Sequence, residues 1–299
     1  MAESFLAVGR GELFSLAAAA TWGIGVIIYR KLGARLPPLQ LNLLKNLIVL
    51  GLIAPVAFLI DRHGLQALTT NDLLIVCASG VLGIGLADTL YFRALNELGA
   101  ARTGIIGNLY SPFVIGLSFL FLDERLGGRQ MIGFALVAAG VLVISTGNST
   151  AASSRAHMRA VLQGVLSIAL MAISVVMVKR VLEAHSVWWI SGLRVAAGAA
   201  GLALLLAVSG QLRGALGQGV SRRDWALLSL GAIVGQFFSM ILWLAGYKYT
   251  TASVAAILNE TASAFIVLFA WIFLREHISG RKLAGLLLTL SGVCLMLMG

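Results

Sequence analysis

Charge is what this sequence has least of. Of its 299 residues only 11% are Asp, Glu, Lys or Arg, against 59% hydrophobic, whereas a soluble domain carries roughly a quarter charged residues. A soluble fold of this length needs a polar surface that these residues cannot cover. The composition therefore points to a lipid bilayer as solvent. Cysteine is also scarce: Cys77 and Cys294 both fall within apolar runs, which argues against a disulfide framework and against a thiolate metal site. The four histidines, His63, His157, His185 and His277, fall in polar connections between apolar runs. That argues against intramembrane haem or metal ligation by histidine, and no cofactor is expected. No HExxH, GxSxG or glycine-rich phosphate loop is present, and no histidine lies within an apolar run to activate a serine, so an enzyme is not expected.

The formal net charge is +10, from 22 Lys and Arg against 12 Asp and Glu. A nucleic-acid partner would need those cations gathered into one stripe with aromatics interleaved. Here they form short clusters between apolar stretches, such as Arg30, Lys31 and Arg35, or Arg222 and Arg223. They read as anchors flanking membrane spans, with the bilayer rather than nucleic acid as partner.

Apolar stretches of about 17–25 residues, long enough to cross a hydrocarbon core, number ten: Leu13–Tyr29, Leu39–Ile60, Leu73–Leu95, Ala101–Leu122, Gln130–Thr146, Ala160–Val178, Val187–Val208, Trp225–Tyr247, Ala252–Leu274 and Leu283–Met298. They are too long and too evenly apolar for barrel strands, so helices are expected. The first stretch has small residues at Ala17–Ala20 like a signal-peptide cleavage region. Glu3, Arg10 and Glu12 precede it, however, rather than the basic start a signal needs.

A duplication runs through the chain. A shift of 152 residues lays Glu124 on Glu276, Gly128 on Gly280, Arg129 on Arg281, Gly133 on Gly285, Gly140 on Gly292 and Val141 on Val293. Near the start of each half a shift of 149 aligns Arg30 and Lys31 with Lys179 and Arg180, and Lys45 with Arg194. The expected organisation is a first five-helix repeat over 1–147, a Ser/Ala-rich linker at 148–159 and a second repeat over 160–299. Because five is odd, the halves would cross the membrane in opposite senses. Inverted repeats of this kind place a substrate near the midplane, between units that rock for alternating access.

The ten-helix duplication resembles a known family. With Asp123-Glu124-Arg125 and Arg275-Glu276-His277 after the fourth helix of each half, and the Gly-Arg pairs that follow, it looks like the EamA-type members of the drug/metabolite transporter superfamily, and within them the aromatic amino-acid exporters. The resemblance implies an all-α polytopic protein and secondary transport of a small metabolite across the inner (plasma) membrane. It leaves substrate open, because the superfamily also includes nucleotide-sugar and triose-phosphate carriers.

Polar groups inside spans are costly and are therefore the candidates for a substrate site. Glu260, deep in the ninth span among small neighbours Ala256, Ser263 and Ala264, reads as a proton-titrating or amine-binding carboxylate, or as a neutral group holding two helices together. Asp88 shares a helical face with Tyr91, while its repeat counterpart is Met240. Asn108 is the counterpart of Glu260; Pro112, four residues on, cannot donate to its carbonyl, so a kink beside Asn108 and Tyr110 is expected. Trp22 stands mid-span in Thr21-Trp22-Gly23-Ile24-Gly25, whose glycines would permit close helix approach or local flexibility, and is expected to line a cavity or to pack. Trp188, Trp189, Trp225, Trp243 and Trp271 fit an interfacial belt. Gln236 and Gln163 read first as interhelical hydrogen-bonding groups, and Lys45 and Arg194 as side chains that snorkel to the nearer surface or neutralise a substrate carboxylate.

With two deep acids, scattered amides and aromatics, and no expected cluster of deep cations, the substrate class that fits is neutral, zwitterionic or cationic, such as an amino acid or an amphipathic amine, with protons as a possible co-substrate. A passive channel would repeat one polar ring around a pore, whereas these polar groups differ between the halves. Counting Lys and Arg on alternate connections favours both termini outside the cytoplasm, while the resemblance implies both inside.

Overall fold

The computed structural model describes residues 9–122, 127–145, 151–216 and 219–297. Among them all regular structure is helical. The first half contains α1 (Arg10–Gly33), α2 (Pro38–Ile60), α3 (Thr70–Gly80), a π-helical turn (Val81–Ala87), α4 (Asp88–Leu98), α5 (Ala100–Gly107), α6 (Tyr110–Phe121) and α7 (Gly128–Ser145). The second contains α8 (Ala151–Ala184), α9 (Val187–Val208), the short α10 (Leu212–Ala215), α11 (Arg222–Ala232), a second π-helical turn (Ile233–Phe238), α12 (Ser239–Tyr249), α13 (Ala252–Asn259), α14 (Thr261–Leu274) and α15 (Gly280–Leu297).

Eight of these helical runs are long and apolar enough to cross a membrane: Arg10–Gly33, Pro38–Ile60, Thr70–Leu98, Ala100–Phe121, Arg155–Ala184, Val187–Val208, Arg222–Tyr249 and Ala252–Leu274. The protein is thus an all-helical, polytopic membrane protein. The two other expected spans fall on α7 and α15, which pack against each other. The stretch expected as a linker is helical from Ala151 onward, where it forms the first turns of α8. His157, expected in a connection, lies on that helix. The outer faces are apolar, with Val208 81% and Leu59 74% exposed, as a bundle solvated by lipid requires.

Local structure carries the duplication. The two π-helical turns begin 152 residues apart, at Val81 and Ile233, and each joins two helices of one span. Thr69 and Ser221, also 152 apart, cap the helices that lead into them, accepting hydrogen bonds from Asp72 N and Asp224 N at 3.2 and 3.1 Å. A π turn leaves backbone carbonyls off the α-helical ladder. In the first half Asn42 meets them: its Nδ2 donates to Ile84 O at 2.8 Å and Gly85 O at 3.2 Å.

Packing across the halves is reciprocal. α1 lies on α12 and α14, α8 lies on α4 and α6, and α2 lies on α9. At the α1 crossing, a Cβ on Gly25 would stand 2.5 Å from Gly235 Cα, so the backbones meet only because both positions are glycine. This is the close approach expected beside Trp22. At the corresponding crossing Ser174, the counterpart of Gly25, faces Gly83, the counterpart of Gly235.

The fourth span of each half is broken at equivalent places. Asn108 and Leu109 interrupt α5 and α6, and Glu260 alone separates α13 from α14. At each break the chain tightens to i→i−3 hydrogen bonds: Asn108 N to Ile105 O, Leu109 N to Ile106 O and Glu260 N to Ile257 O, all 3.1 Å. Pro112 accounts for the first break, because no N–H at that position can continue the ladder to Asn108.

α5 begins at Gly99, whose φ of 84° suits glycine. Its first N–H groups are capped from the other half, Ala100 N and Ala101 N donating to the Glu276 carboxylate at 2.8 and 3.2 Å. Glu276 is thus placed by the motif after the ninth span. Its counterpart Glu124, with Asp123 and Arg125, lies outside the described residues.

Candidate functional site: a cavity between the halves

A cavity of about 170 Å³ lies where α1, the two π-helical spans and the two broken spans converge. A single water needs only roughly 10–15 Å³, so this space is sized for a small organic solute. Trp22, Asp88, Tyr91, Asn108, Tyr110, Gln236 and Glu260 all contribute to its wall. The structure therefore brings these seven residues together, although they come from five different spans.

Asp88 is buried and its Oδ2 lies 2.5 Å from Lys45 Nζ. The same ammonium donates to Gln236 Oε1 at 3.1 Å and stands 5.2 Å from the centre of the Phe92 ring. Lys45 is wholly out of solvent, which overturns the expectation that it snorkels. Snorkelling needs a side chain that can reach an interface along its own helix. The face of α2 that carries Lys45 instead points into the bundle.

Arg194 gives the same correction. It is 2% exposed and lines the cavity. Its Nη1 donates to Ser79 Oγ at 3.0 Å and Ser174 O at 3.2 Å, and its Nη2 to Ser174 Oγ at 3.1 Å. The guanidinium stacks 5.7 Å from the Trp243 ring centre. One deep cation, Arg194, thus lines the site and a second, Lys45, stands behind its Asp88 and Gln236, where no cluster of deep cations was expected. The available signal was their equivalence under the repeat, well away from the ends of their helices.

Glu260 bridges the two broken spans. Its Oε1 accepts from Ser111 N and from Ser111 Oγ, both at 2.6 Å, and so caps the N-terminal turn of α6 from the opposite half. Asn108, 1% exposed at the matching break, has neither Nδ2 nor Oδ1 hydrogen-bonded. A buried, unpaired amide facing a cavity is expensive unless something in the cavity completes it.

Aromatic rings form two walls. Trp22 is 5.7 Å from Tyr91 and 6.4 Å from Tyr29, centre to centre. Tyr110 is 6.4 Å from Trp243, and its hydroxyl accepts from Tyr247 at 2.8 Å. Trp243, read from sequence as an interfacial residue, instead faces the cavity, on the side of its helix that meets Arg194 and Tyr110. Trp189 is likewise buried, with Nε1 donating to Asp61 O at 2.7 Å. Gln163 is not part of the lining, and its Oε1 has no hydrogen-bond partner. Among the described residues no group of three or more His, Cys, Asp or Glu is placed to hold a metal ion.

A polytopic helical bundle with an aromatic-walled cavity that carries a few polar groups between two similar halves has the layout of a membrane transporter. The chain belongs to the EamA-like transporter family, whose model matches it twice in succession, over residues 9–146 and 158–298. Among curated proteins it is similar to an uncharacterized transporter, YetK, of Bacillus subtilis (strain 168), with 28% identity over 137 residues. That match spans 45% of this chain and about two fifths (41%) of the relative. Among solved structures one, described only as the crystal structure of a protein, superposes over 95% of both chains with a TM-score of 0.70 at 18% identity. The likeness is one of fold. Together the family match and the apolar helices make this a multi-pass membrane protein of that family.

Proposed function

We propose that the protein is a ten-helix secondary transporter, with two inverted five-helix repeats, that exports amino acids with aromatic or other neutral side chains across the inner membrane by alternating access. The repeats occupy 1–147 and 160–299, joined through 148–159. Support for the count comes from α7 and α15, each 18 residues long and paired with one another, which would complete five spans per half. An odd number per half reverses the second relative to the first.

The observation that carries the substrate class is the cavity wall itself. It holds a carboxylate at Glu260, a cation at Arg194, an unpaired amide at Asn108 and rings from Trp22, Tyr91, Tyr110 and Trp243. Such a wall matches a small solute with charge of both signs and an aromatic or apolar body. A phosphate ester would need several cations free to engage it, yet Lys45 is already committed to Asp88. Export of amphipathic amines is the second reading, favoured by the acid at Glu260. An intramembrane enzyme and a passive channel fit less well, because among the described residues no histidine lines the space and its polar groups differ between the halves.

The test is flux into proteoliposomes across a panel of amino acids, amines and phosphorylated sugars, with and without an imposed pH gradient. Saturable uptake with counterflow of aromatic or neutral amino acids is the expected result. Turnover of a bound compound, or non-saturable flux, would overturn a carrier.

A further inference from the structure

The internal repeat makes an unusual comparison possible, because each charged group in the cavity has a counterpart whose partner can be read. Lys45 and Arg194 are equivalent, and so are Asp88 and Met240. In the first half the cation therefore meets its acid at 2.5 Å. In the second half the position of the acid is held by a methionine, 6% exposed and part of the cavity wall. Arg194 keeps only neutral partners, the hydroxyls of Ser79 and Ser174 and the carbonyl of Ser174. No carboxylate among the described residues lies within ion-pair distance of it, and its Nε–H has no acceptor.

The converse holds at the broken spans. Glu260 and Asn108 are equivalent, so the repeat supplies an acid on one side and a neutral amide on the other. Glu260 is 3% exposed, its carboxyl group is hydrogen-bonded through Oε1 to Ser111, and it has no cation within ion-pair distance among the described residues. A buried charge without a counter-ion costs several kcal/mol. Arg194 and Glu260, each lacking a counter-charge among the described residues, border the same cavity.

Resting on the amino-acid reading above, the geometry points to Arg194 as the receptor for the substrate carboxylate and Glu260 as the receptor for its ammonium, both left without counter-ions by departures from the internal repeat. The guanidinium is held in place by two serines and by the Trp243 face, leaving Nε–H unpaired. A carboxylate supplies the negative charge that Met240 withholds. The ammonium group supplies the positive charge missing beside Glu260. A solute with one charge only leaves one buried group uncompensated, so the site selects zwitterions over amines and over simple acids.

The probes are L-phenylalanine, phenylalaninamide, which keeps the ammonium but replaces the carboxylate with an isosteric neutral group, and 3-phenylpropionate, which keeps only the carboxylate. Binding to the purified wild-type protein is expected to favour phenylalanine over each analogue by roughly 10- to 100-fold, the range for a lost charged hydrogen-bonding partner. Arg194→Met should erase the preference over phenylalaninamide, and Glu260→Gln the preference over 3-phenylpropionate. Met240→Asp leaves Arg194 in place but restores the acid found in the first half, and should erase the same preference as Arg194→Met. It serves as the test if removal of the arginine prevents folding.

If wild-type protein binds phenylalanine and both Arg194→Met and Met240→Asp still reject phenylalaninamide, the assignment of Arg194 falls while amino-acid transport stands. If wild-type protein binds phenylalaninamide and rejects phenylalanine, the amino-acid reading falls and the assignment with it. A wild-type protein that binds all three equally overturns the pairing of charges without recourse to any variant.

Discussion

Lys45 and Asp88 form an ion pair of 2.5 Å in the interior of the bundle, with Lys45 wholly buried and Asp88 6% exposed. The pair ties α2 to the start of α4, just beyond the π-helical turn, and its third partner Gln236 belongs to the other half. Removing one member leaves a buried charge alone, at a cost of about 3–5 kcal/mol. Lys45→Met and Asp88→Leu are each expected to lower thermal stability in detergent by that order. The double variant should recover much of the loss, because replacing a buried ion pair with apolar groups is often nearly neutral. A double-mutant cycle of unfolding measurements checks this; additive losses would show that the two charges do not stabilise one another.

Glu260 and Ser111 join the two broken spans. Glu260→Ala should destabilise the protein by about 1–3 kcal/mol, since Ser111 N–H would be left buried without an acceptor. Glu260→Gln keeps an acceptor oxygen and is expected to fold. If Glu260 carries a proton during transport, flux driven by an imposed pH gradient becomes insensitive to the gradient in Glu260→Gln while exchange of substrate persists. Flux with unchanged pH dependence in that variant would remove the proton from the mechanism.

Where α1 crosses the second π-helical turn, no room exists for a side chain. Gly25→Ala places a Cβ 2.5 Å from Gly235 Cα, and overpacking of this kind costs about 1–3 kcal/mol. The expected outcome is a lower unfolding temperature and weakened transport together. Gly51, with open space around its Cβ position, provides the contrast: Gly51→Ala should leave both unchanged.

Trp22 and Trp243 stand in the cavity wall with Tyr91 and Tyr110 as neighbours. Aromatic pairs contribute about 0.5–1.5 kcal/mol beyond simple burial. Trp22→Leu and Trp243→Leu are therefore expected to weaken binding of phenylalanine more than that of leucine, by a few-fold to about tenfold. Equal losses for the two amino acids, measured by competition in proteoliposomes, would assign these rings to packing alone.

Much of the site could be read in advance because hydrophobic solvent makes polar residues conspicuous. Glu260, Asp88 and Asn108 stand out in apolar runs whatever their neighbours, and the interruption at Asn108 follows from Pro112. The matching interruption at Glu260 was not expected, because Ala264 stands where the first half has Pro112. Lys45, Arg194 and Trp243 were misread for one reason. Snorkelling and interfacial placement were inferred from position along a helix, whereas burial depends on which side of the helix faces its neighbours. The π-helical turns, which rotate the residues that follow, have no signal in hydropathy.

Composition, then, was sufficient for the membrane class, for helices as the spanning element and for a duplicated chain, because those follow from solvent, chain length and local hydrogen bonding. Which charges meet was settled only in three dimensions. Lys45 is neutralised by Asp88 and Arg194 is not, and Glu260 reaches across 149 residues of chain to Ser111, because such pairings depend on how helices cross. Side-chain electrostatics act over a few ångströms, and proximity on that scale between distant segments is a property of packing.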